Sequence, residues 1–229
     1  MKLAALFSGG KDSTYSIYRA KKDGHQISCV VTVFPISYES ELLHFPNIRL
    51  TKLQSQAMGI PQLSIDADST NPNSEVSTLQ EILYKAKENF GIEGILHGGI
   101  LSEFQKKRFS SICENLNVKL VSPLWKKNQK EYMQNLLKEN FHFIIISVSS
   151  DGLDESWLGK EITQDDLKKL EALSEKYGFN LSFEGGEAET LVTDCPLFSN
   201  PIKIKKSNKV WDGYRGRFEI LEAELAHNA

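Results

Sequence analysis

The junction between an apolar run and a helical pattern near the start of the chain limits the fold more than any other feature. Residues 3–7 (LAALF) are typical of a buried strand, and residues 12–22 are typical of a helix. The sequence Ser-Gly-Gly-Lys-Asp-Ser joins them. A strand that leads directly into a helix begins a βαβ unit, so we expect an α/β domain.

The same alternation continues through the first half of the chain. Further strands are predicted at 27–34, 62–66, 94–97 and 118–122, and further helices at 48–58, 75–90 and 103–116. This spacing predicts a parallel five-stranded sheet with helices on both faces. Because ligands of such sheets bind beyond the carboxyl ends of the strands, the loop after the first strand is well placed for a site.

The second half is less regular and predicts a smaller α+β domain. It contains a predicted helix at 126–141, an apolar strand at 142–150, a helix at 163–178 and a hairpin-rich end at 202–225. Thr163 and Asp166 predict a capping box at the start of the helix at 163–178, and Gly178 predicts the end of that helix. Asp212-Gly213 is a turn candidate. We therefore predict two domains, 1–125 and 126–229.

Composition excludes several classes of protein. The 229 residues are 40% hydrophobic and 25% charged, as in ordinary globular proteins, and a net charge of −3 carries no general signature of nucleic-acid binding. Cys29, Cys113 and Cys195 form no CxxC pair, so we expect three small buried or half-buried residues in a reducing compartment. The apolar run at the N-terminus is too short for a signal peptide or a membrane span, so we expect a cytoplasmic protein.

The loop between the first strand and helix has the chemistry of an anion site. Two glycines allow close approach of the backbone, a helix N-terminus offers N–H groups, and hydroxyls and an ammonium group add donors. The six residues are Ser8, Gly9, Gly10, Lys11, Asp12 and Ser13. Asp12 could cap the helix, hold Mg²⁺ or fix the loop. A polyphosphate satisfies these features together, whereas a plain strand-to-helix turn is the alternative; neither GxxxxGK[ST] nor GxGxxG is present.

This loop resembles the pyrophosphate-binding loop of the N-type ATP pyrophosphatases, also called the PP-loop superfamily. The resemblance implies a Rossmann-like sheet of the HUP type and cleavage of ATP between its α and β phosphates. It also implies an adenylate from which a nitrogen or sulfur nucleophile displaces AMP. Three further stretches resemble the diphthine–ammonia ligase family, which completes diphthamide on translation elongation factor 2: "ESELLHFPN" (39–47), "HGGILSEFQKKRFSSICENLNVKLVSPLW" (97–125) and "FEGGEAETLVTDCPLF" (183–198).

The resemblance assigns candidate residues to the site. It implies that the loop residues and His44 bind ATP, that Lys11 is catalytic, and that Asp12 holds Mg²⁺. Glu184 and Glu187 are candidates for the ammonium site and the base, because crowded carboxylates need a cation or a proton between them. Candidate substrate-binding residues are Ser102, Gln105, Arg108, Gly185, Gly186, Glu189 and Thr190.

Simpler structural roles exist for several of these residues. His44 could be a solvated loop residue, and Arg108 could belong to a solvated basic face. Ser102 is a predicted N-cap with Gln105 completing a capping box. Glu184, Glu187 and Glu189 could be exposed acids of a glycine hairpin.

The expected partners are elongation factor 2 as protein substrate and ammonium as nitrogen donor, since no glutaminase signature accompanies the domain. Neither a membrane nor a nucleic acid is expected, and the oligomeric state is open, with a homodimer as one option. Residues 203–217 are a candidate docking face or an ordinary exposed hairpin. The competing functions are a PP-loop enzyme that modifies tRNA and a non-catalytic module that binds ATP or AMP.

Overall fold

The first sheet has five parallel strands, and it lies in the first half of the chain as predicted. The computed structural model describes residues 1–35, 47–67 and 72–226. The strands are β1 (Lys2–Leu6), β2 (Gln26–Pro35), β3 (Gln62–Ala67), β4 (Gly94–Leu96) and β5 (Lys119–Val121), in the order β3-β2-β1-β4-β5. The helices that connect them are α1 (Lys11–Lys22), α2 (Thr51–Met58), α3 (Pro72–Phe90) and α4 (Glu103–Leu116).

Helices cover both faces of this sheet, as the alternating pattern predicts. One face packs Ala4, Val31 and Ile95 against side chains of α3 and α4. The other face packs Leu3 and Ala5 against side chains of α1 and α2. Successive residues of β1 thus point to opposite layers, which is why a strand buried on both faces reads as a continuous apolar run.

The second half forms an antiparallel four-stranded sheet with two helices. These elements are α5 (Gln129–Lys138), β6 (His142–Val148), α6 (Gln164–Tyr177), β7 (Ala188–Asp194), β8 (Ile202–Trp211) and β9 (Gly216–Leu225), with the strand order β7-β6-β9-β8. Thr163 and Asp166 form the predicted capping box, and Gly178 ends α6 in the left-handed region. The predicted turn at Asp212-Gly213 joins β8 to β9.

One local prediction for the second half is wrong, and one strand was not predicted. The helix predicted over 126–141 spans only Gln129–Lys138, because the Asn128 side chain caps its first turn and Asn140 takes a positive φ of 57° beyond its end. Strand β7 was not predicted, since its sequence, AETLVTD, sits directly after the glycine-rich acidic segment and lacks regular alternation. It pairs with β6 and lies at one edge of the sheet.

The two halves share apolar packing. Tyr15, Ile100 and Leu124 from the first half belong to the same buried cluster as Phe141 and Phe143 from the second. The two-domain division at residue 125 therefore stays a prediction, and the buried apolar residues of the two halves are in contact across it.

The three cysteines are free and buried, as predicted. Burial raises the pKa of Cys29 to about 12, of Cys113 to about 11 and of Cys195 to about 12. Thiols protonated to this degree are poor nucleophiles at neutral pH. In the part of the chain that is described, no helix combines the length and apolar character needed to cross a bilayer.

Candidate active site

A cavity of about 500 Å³ opens at the carboxyl ends of β1, β2 and β4. One part of its wall is apolar and includes Leu6, Val31, Val33, Ile48 and Leu79. The other part is polar and combines the loop after β1 with the loop before β7. A site of this size with one apolar and one charged end suits a ligand that joins a flat ring to a charged group.

The loop after β1 is closed on itself by its two serines. The Ser8 N–H donates to Ser13 Oγ over 3.3 Å, and the two hydroxyl oxygens lie 3.2 Å apart. Between them Gly9 takes a positive φ of 79°, the left-handed conformation that favours glycine. The Thr14 hydroxyl donates to the Gly10 carbonyl at 2.8 Å, and this side-chain hydrogen bond stabilises the first turn of α1.

Strand β7 and helix α2 support this loop from the second half and from the first. The Val192 N–H donates to the Gly9 carbonyl at 3.0 Å, and the Lys11 N–H donates to Thr190 Oγ1 at 3.1 Å. The buried amide of Gln54 donates to the carbonyls of Gly9 and Val192, both at 2.8 Å. The loop is therefore held at the boundary between the two sheets.

The Lys11 side chain is buried rather than extended into solvent. Only 2% of the residue is exposed, and its ammonium group donates to the Ser182 carbonyl at 2.6 Å and to Asp12 Oδ2 at 2.9 Å. The same group lies 5.3 Å from the centre of the Phe183 ring. A desolvated cation with fixed partners provides a pre-organised charge at the cavity wall.

Asp12 receives a second donor from the second half of the chain. The Tyr132 hydroxyl, on α5, donates to Asp12 Oδ1 at 2.6 Å. Burial, and next the charge of Asp12, raise the pKa of Tyr132 well above its ordinary value, so it remains a donor. Sequence reasoning missed Tyr132, whose only signal is its place on the apolar face of a predicted helix.

Glu184 faces the cavity from the loop before β7. Its carboxylate accepts the Ile100 N–H at 3.0 Å and the Leu101 N–H at 3.3 Å, so it bridges to the segment after β4. Burial raises the pKa of Glu184, and the nearby charge of Asp12 raises it further. The two backbone N–H groups and Lys11 act in the opposite direction. The net result is that the pKa of Glu184 is raised above its ordinary value, so this carboxylate takes up a proton more readily than an exposed one does.

Glu187 has a different environment from Glu184. Its carboxylate accepts the Asn180 N–H at 2.8 Å, the Asn180 side-chain amide at 2.7 Å and the Gly185 N–H at 2.8 Å. A Cβ on Gly185 would approach Glu187 Oε1 to 2.7 Å, so a side chain there would displace the Glu187 carboxylate. Glu187 is therefore turned into its own loop.

The segment after β4 supplies a further wall of the cavity. Ser102 caps α4 as predicted, accepting the Gln105 N–H at 3.3 Å, and both residues line the cavity. Arg108 stacks on the Phe104 ring with 4.5 Å between the guanidinium carbon and the ring centre. His97, which sequence reasoning missed, is 5% exposed, and burial lowers its pKa to about 4, so the ring is neutral. Its position directly before Gly98-Gly99 was the available signal.

Most of the predicted site residues meet at this one cavity. Those that line it are Ser8, Gly10, Lys11, Asp12, Ser13, Ser102, Gln105, Glu184, Gly185, Gly186, Glu189 and Thr190. Gly9, Arg108 and Glu187 are next to it in the chain without being part of its wall. His44 lies outside the described residues.

The parallel sheet, the loop after β1 and the cavity shared with a second sheet define an α/β protein with a candidate anion-binding site between its two halves. The chain belongs to the diphthamide synthase family: residues 1–120 match the family described as "Diphthamide synthase N-terminal domain", and residues 128–226 match "Diphthamide synthase C-terminal domain".

Similar proteins carry a common name. The "Diphthine--ammonia ligase" of Bos taurus is 36% identical over 92% of this chain and 85% of its own length, and that of Homo sapiens is 34% identical over the same shares. A crystal structure titled "predicted subunit of tRNA methyltransferase from Methanocaldococcus jannaschii DSM" aligns with 86% of this chain and 98% of its own, with a TM-score of 0.45 and 17% identity.

Proposed function

We propose that this protein is a diphthine–ammonia ligase, which uses ATP and ammonium to convert the carboxylate of diphthine on a protein into the amide of diphthamide. The observation that carries the proposal is the meeting of Lys11, Asp12 and Glu184 in one cavity. This arrangement places a fixed cation and a carboxylate with a raised pKa on the wall of one cavity, and relatives that match 92% of this chain are named for this reaction.

Under this proposal, one set of residues binds ATP and another binds the diphthine substrate. The apolar wall would take the adenine, and the loop of residues 8–13 would take the phosphates, with Lys11 nearest the charge of the departing pyrophosphate. Because the Lys11 N–H already donates to Thr190, the ammonium group and the remaining donors of the loop would bind the anion. Residues 1–125 would thus act as the ATP-binding half and 126–229 as the substrate-binding half.

The reaction proceeds in two steps under this proposal. An oxygen of the diphthine carboxylate forms a bond to the α-phosphorus while the bond to pyrophosphate breaks, which gives an acyl-adenylate. Ammonium passes a proton to a base, and the resulting ammonia attacks the acyl carbon. The bound nitrogen loses a second proton to solvent, and AMP leaves with the electron pair of its bond to the acyl carbon. Of the two predicted bases we favour Glu184, because Glu187 already accepts three N–H bonds within its own loop.

Mg²⁺ fits the site only together with the nucleotide. Among the described residues, no three His, Cys, Asp or Glu side chains are grouped to hold a metal ion by themselves. Mg²⁺ commonly uses one or two carboxylates together with phosphates, and Asp12 could supply one such carboxylate. Bound there, the ion would neutralise developing phosphate charge.

The proposed acceptor is translation elongation factor 2 in its diphthine form, met in the cytoplasm. The test supplies the purified protein with ATP, Mg²⁺, ammonium and this factor, with or without diphthine. We expect AMP and pyrophosphate in equal amounts and a loss of about 1 Da from the factor, as hydroxyl is replaced by amine, only when diphthine and ammonium are both present. Nucleotide binding without pyrophosphate release, or transfer of nitrogen to a tRNA instead, would refute the proposal.

A further inference from the structure

Two exposed apolar side chains mark the rim of the cavity. Leu101 is 42% exposed and Phe104 is 50% exposed, three residues apart at the start of α4. Phe104 lines the cavity, whereas Leu101 lines a second, open groove of about 460 Å³ that also includes Asn180. The rim between the two hollows is therefore apolar at its centre.

Basic side chains surround these two residues. Lys106, Lys107 and Arg108 follow on α4, and Lys126 and Lys127 follow Trp125. The two segments touch: the Lys106 ammonium group lies 4.0 Å from the centre of the Trp125 ring, and the Lys126 N–H donates to the Ile100 carbonyl at 2.8 Å. We call residues 101–108 and 125–127 the basic rim.

The charge of the basic rim is uncompensated. Its five cations face one carboxylate within the same segments, that of Glu103, although the chain as a whole has a net charge of −3. Within the described ranges none of the five cations forms an ion pair, whereas Lys130 and Lys205 elsewhere pair with Glu171 and Glu224. A surface that combines exposed apolar groups with cations that form no ion pair is typical of a binding surface for another molecule.

We propose that the basic rim docks an acidic face of the protein acceptor, with one apolar acceptor side chain packed against Leu101 and Phe104. This inference rests on the proposed function. A modified residue that enters the cavity brings its own protein against the cavity mouth, so the acceptor must contact this rim. The cations would steer and orient the encounter, and the apolar pair would supply the buried centre of the interface.

The position of the rim favours it over the basic segment 203–217. Most of that segment lies on β8, the outer strand on the far side of its sheet from β7, and the Lys205 charge there is balanced by Glu224. The basic rim, in contrast, supplies residues to the cavity wall itself.

The test is a matched pair of charge reversals. Lys107→Glu with Lys127→Glu removes charge from the rim, and Lys21→Glu with Lys119→Glu makes the same change at exposed positions near the opposite end of the parallel sheet. The affinity for the acceptor protein is measured by titration without ATP at low and high salt, and KM and kcat are measured in turnover.

We expect the rim variant to bind the acceptor at least about 10-fold more weakly at low salt, with the difference shrinking at high salt. Its KM for ATP and its kcat should stay within about twofold of the original values, and the control pair should match the unmodified protein. Leu101→Ser should weaken acceptor binding at both salt concentrations, whereas Tyr84→Ser, at a residue 54% exposed on α3, should not.

Three outcomes would overturn the inference: equal acceptor affinity in the rim and control variants, no acceptor binding by the unmodified protein, or, in a parallel titration with tRNA, weaker RNA binding by the rim variant with unchanged acceptor affinity. Acceptor binding that depends on the rim, but without AMP formation, would refute the proposed function and leave the docking surface standing.

Discussion

The ammonium group of Lys11 donates a 2.6 Å hydrogen bond to the carbonyl oxygen of Ser182, which lies 171 positions further along the chain. The cation on the first helix therefore receives a hydrogen-bond acceptor from the loop that precedes β7, in the other half of the chain. The cation is fixed by the fold before any ligand arrives, which limits the reorganisation needed when charge develops beside it.

Replacing Lys11 should affect both activity and stability. Lys11→Met keeps most of the volume but leaves the buried Ser182 carbonyl without its donor, which should cost about 1–3 kcal/mol of unfolding free energy. Release of pyrophosphate should fall by a factor of about 100 or more. Denaturant unfolding and a pyrophosphate assay measure the two effects, with the exposed Lys21→Met as control. Full activity in the Lys11 variant would contradict the proposed role.

Tyr132→Phe tests whether the second half positions Asp12. Removing the hydroxyl deletes its bond to Asp12 Oδ1, a bond to a charged group, so we expect a loss of about 1.5–3 kcal/mol of stability. If Asp12 acts on Mg²⁺ and phosphate, the Mg²⁺ concentration for half-maximal rate should also rise. Tyr84→Phe, at an exposed position, should change neither quantity. A lower stability with unchanged Mg²⁺ dependence would show that Tyr132 is structural only.

Gly9 and Gly24 have the same backbone conformation but different surroundings. Substituting each by alanine therefore distinguishes the cost of backbone strain from the cost of a steric clash. Gly9 has a φ of 79° and Gly24 a φ of 81°, but a Cβ on Gly9 would lie 2.2 Å from Gln54 Oε1, whereas nothing lies within 4 Å of one on Gly24. Gly24→Ala should cost only the left-handed strain of about 1–2 kcal/mol. Gly9→Ala should cost at least about 2 kcal/mol more, because Gln54 must give up its bonds to Gly9 and Val192. Equal losses by thermal unfolding would disprove the supporting role of Gln54.

Glu187→Gln should loosen a loop rather than remove a base. A glutamine offers one acceptor oxygen and turns an amide donor toward N–H groups, so about 1–3 kcal/mol of stability should be lost. Amide exchange should quicken at residues 180–187 and change little elsewhere, and Glu88→Gln on the exposed side of α3 should have no such effect. Loss of turnover with unchanged exchange would instead make Glu187 a catalytic base.

The raised pKa of Glu184 predicts how stability depends on pH. Because the pKa is higher in the folded state, that state retains the proton over the interval above the ordinary value of 4.5, and stability falls as the pH rises through that interval. Glu184→Gln removes this contribution. As the pH rises from about 4.5, the original protein should therefore lose unfolding free energy relative to the Glu184→Gln variant. This loss should stop once the pH is above the pKa of Glu184 in the folded state. A difference independent of pH would contradict the raised pKa.

The parallel sheet could be predicted from the sequence because its strands are short apolar runs bounded by glycine, proline and helical patterns. Phe143 and its neighbours in β6 likewise formed a run too apolar for a surface. The position of the loop between β1 and α1 could be predicted because an apolar run ends there in two glycines and a helical pattern follows. In each case local chemistry determines the structure.

Contacts between distant residues could not be predicted in the same way. Tyr132, Gln54 and Ser182 reach the site through packing between elements far apart in the chain, and none has a local pattern that marks it. Glu184 and Glu187 are alike in sequence, and only the position of Asn180 and Ile100 separates a cavity carboxylate from a loop anchor.

The support that β7 gives to the loop of residues 8–13 has a consequence for biosynthesis. Thr190 and Val192, which hold Lys11 and Gly9, are made about 180 residues after the loop itself. A nascent chain can form the parallel sheet early, but the loop gains these two supports only when β7 has been made. Under the proposed function, ATP would therefore find a complete site only in molecules that already contain β7.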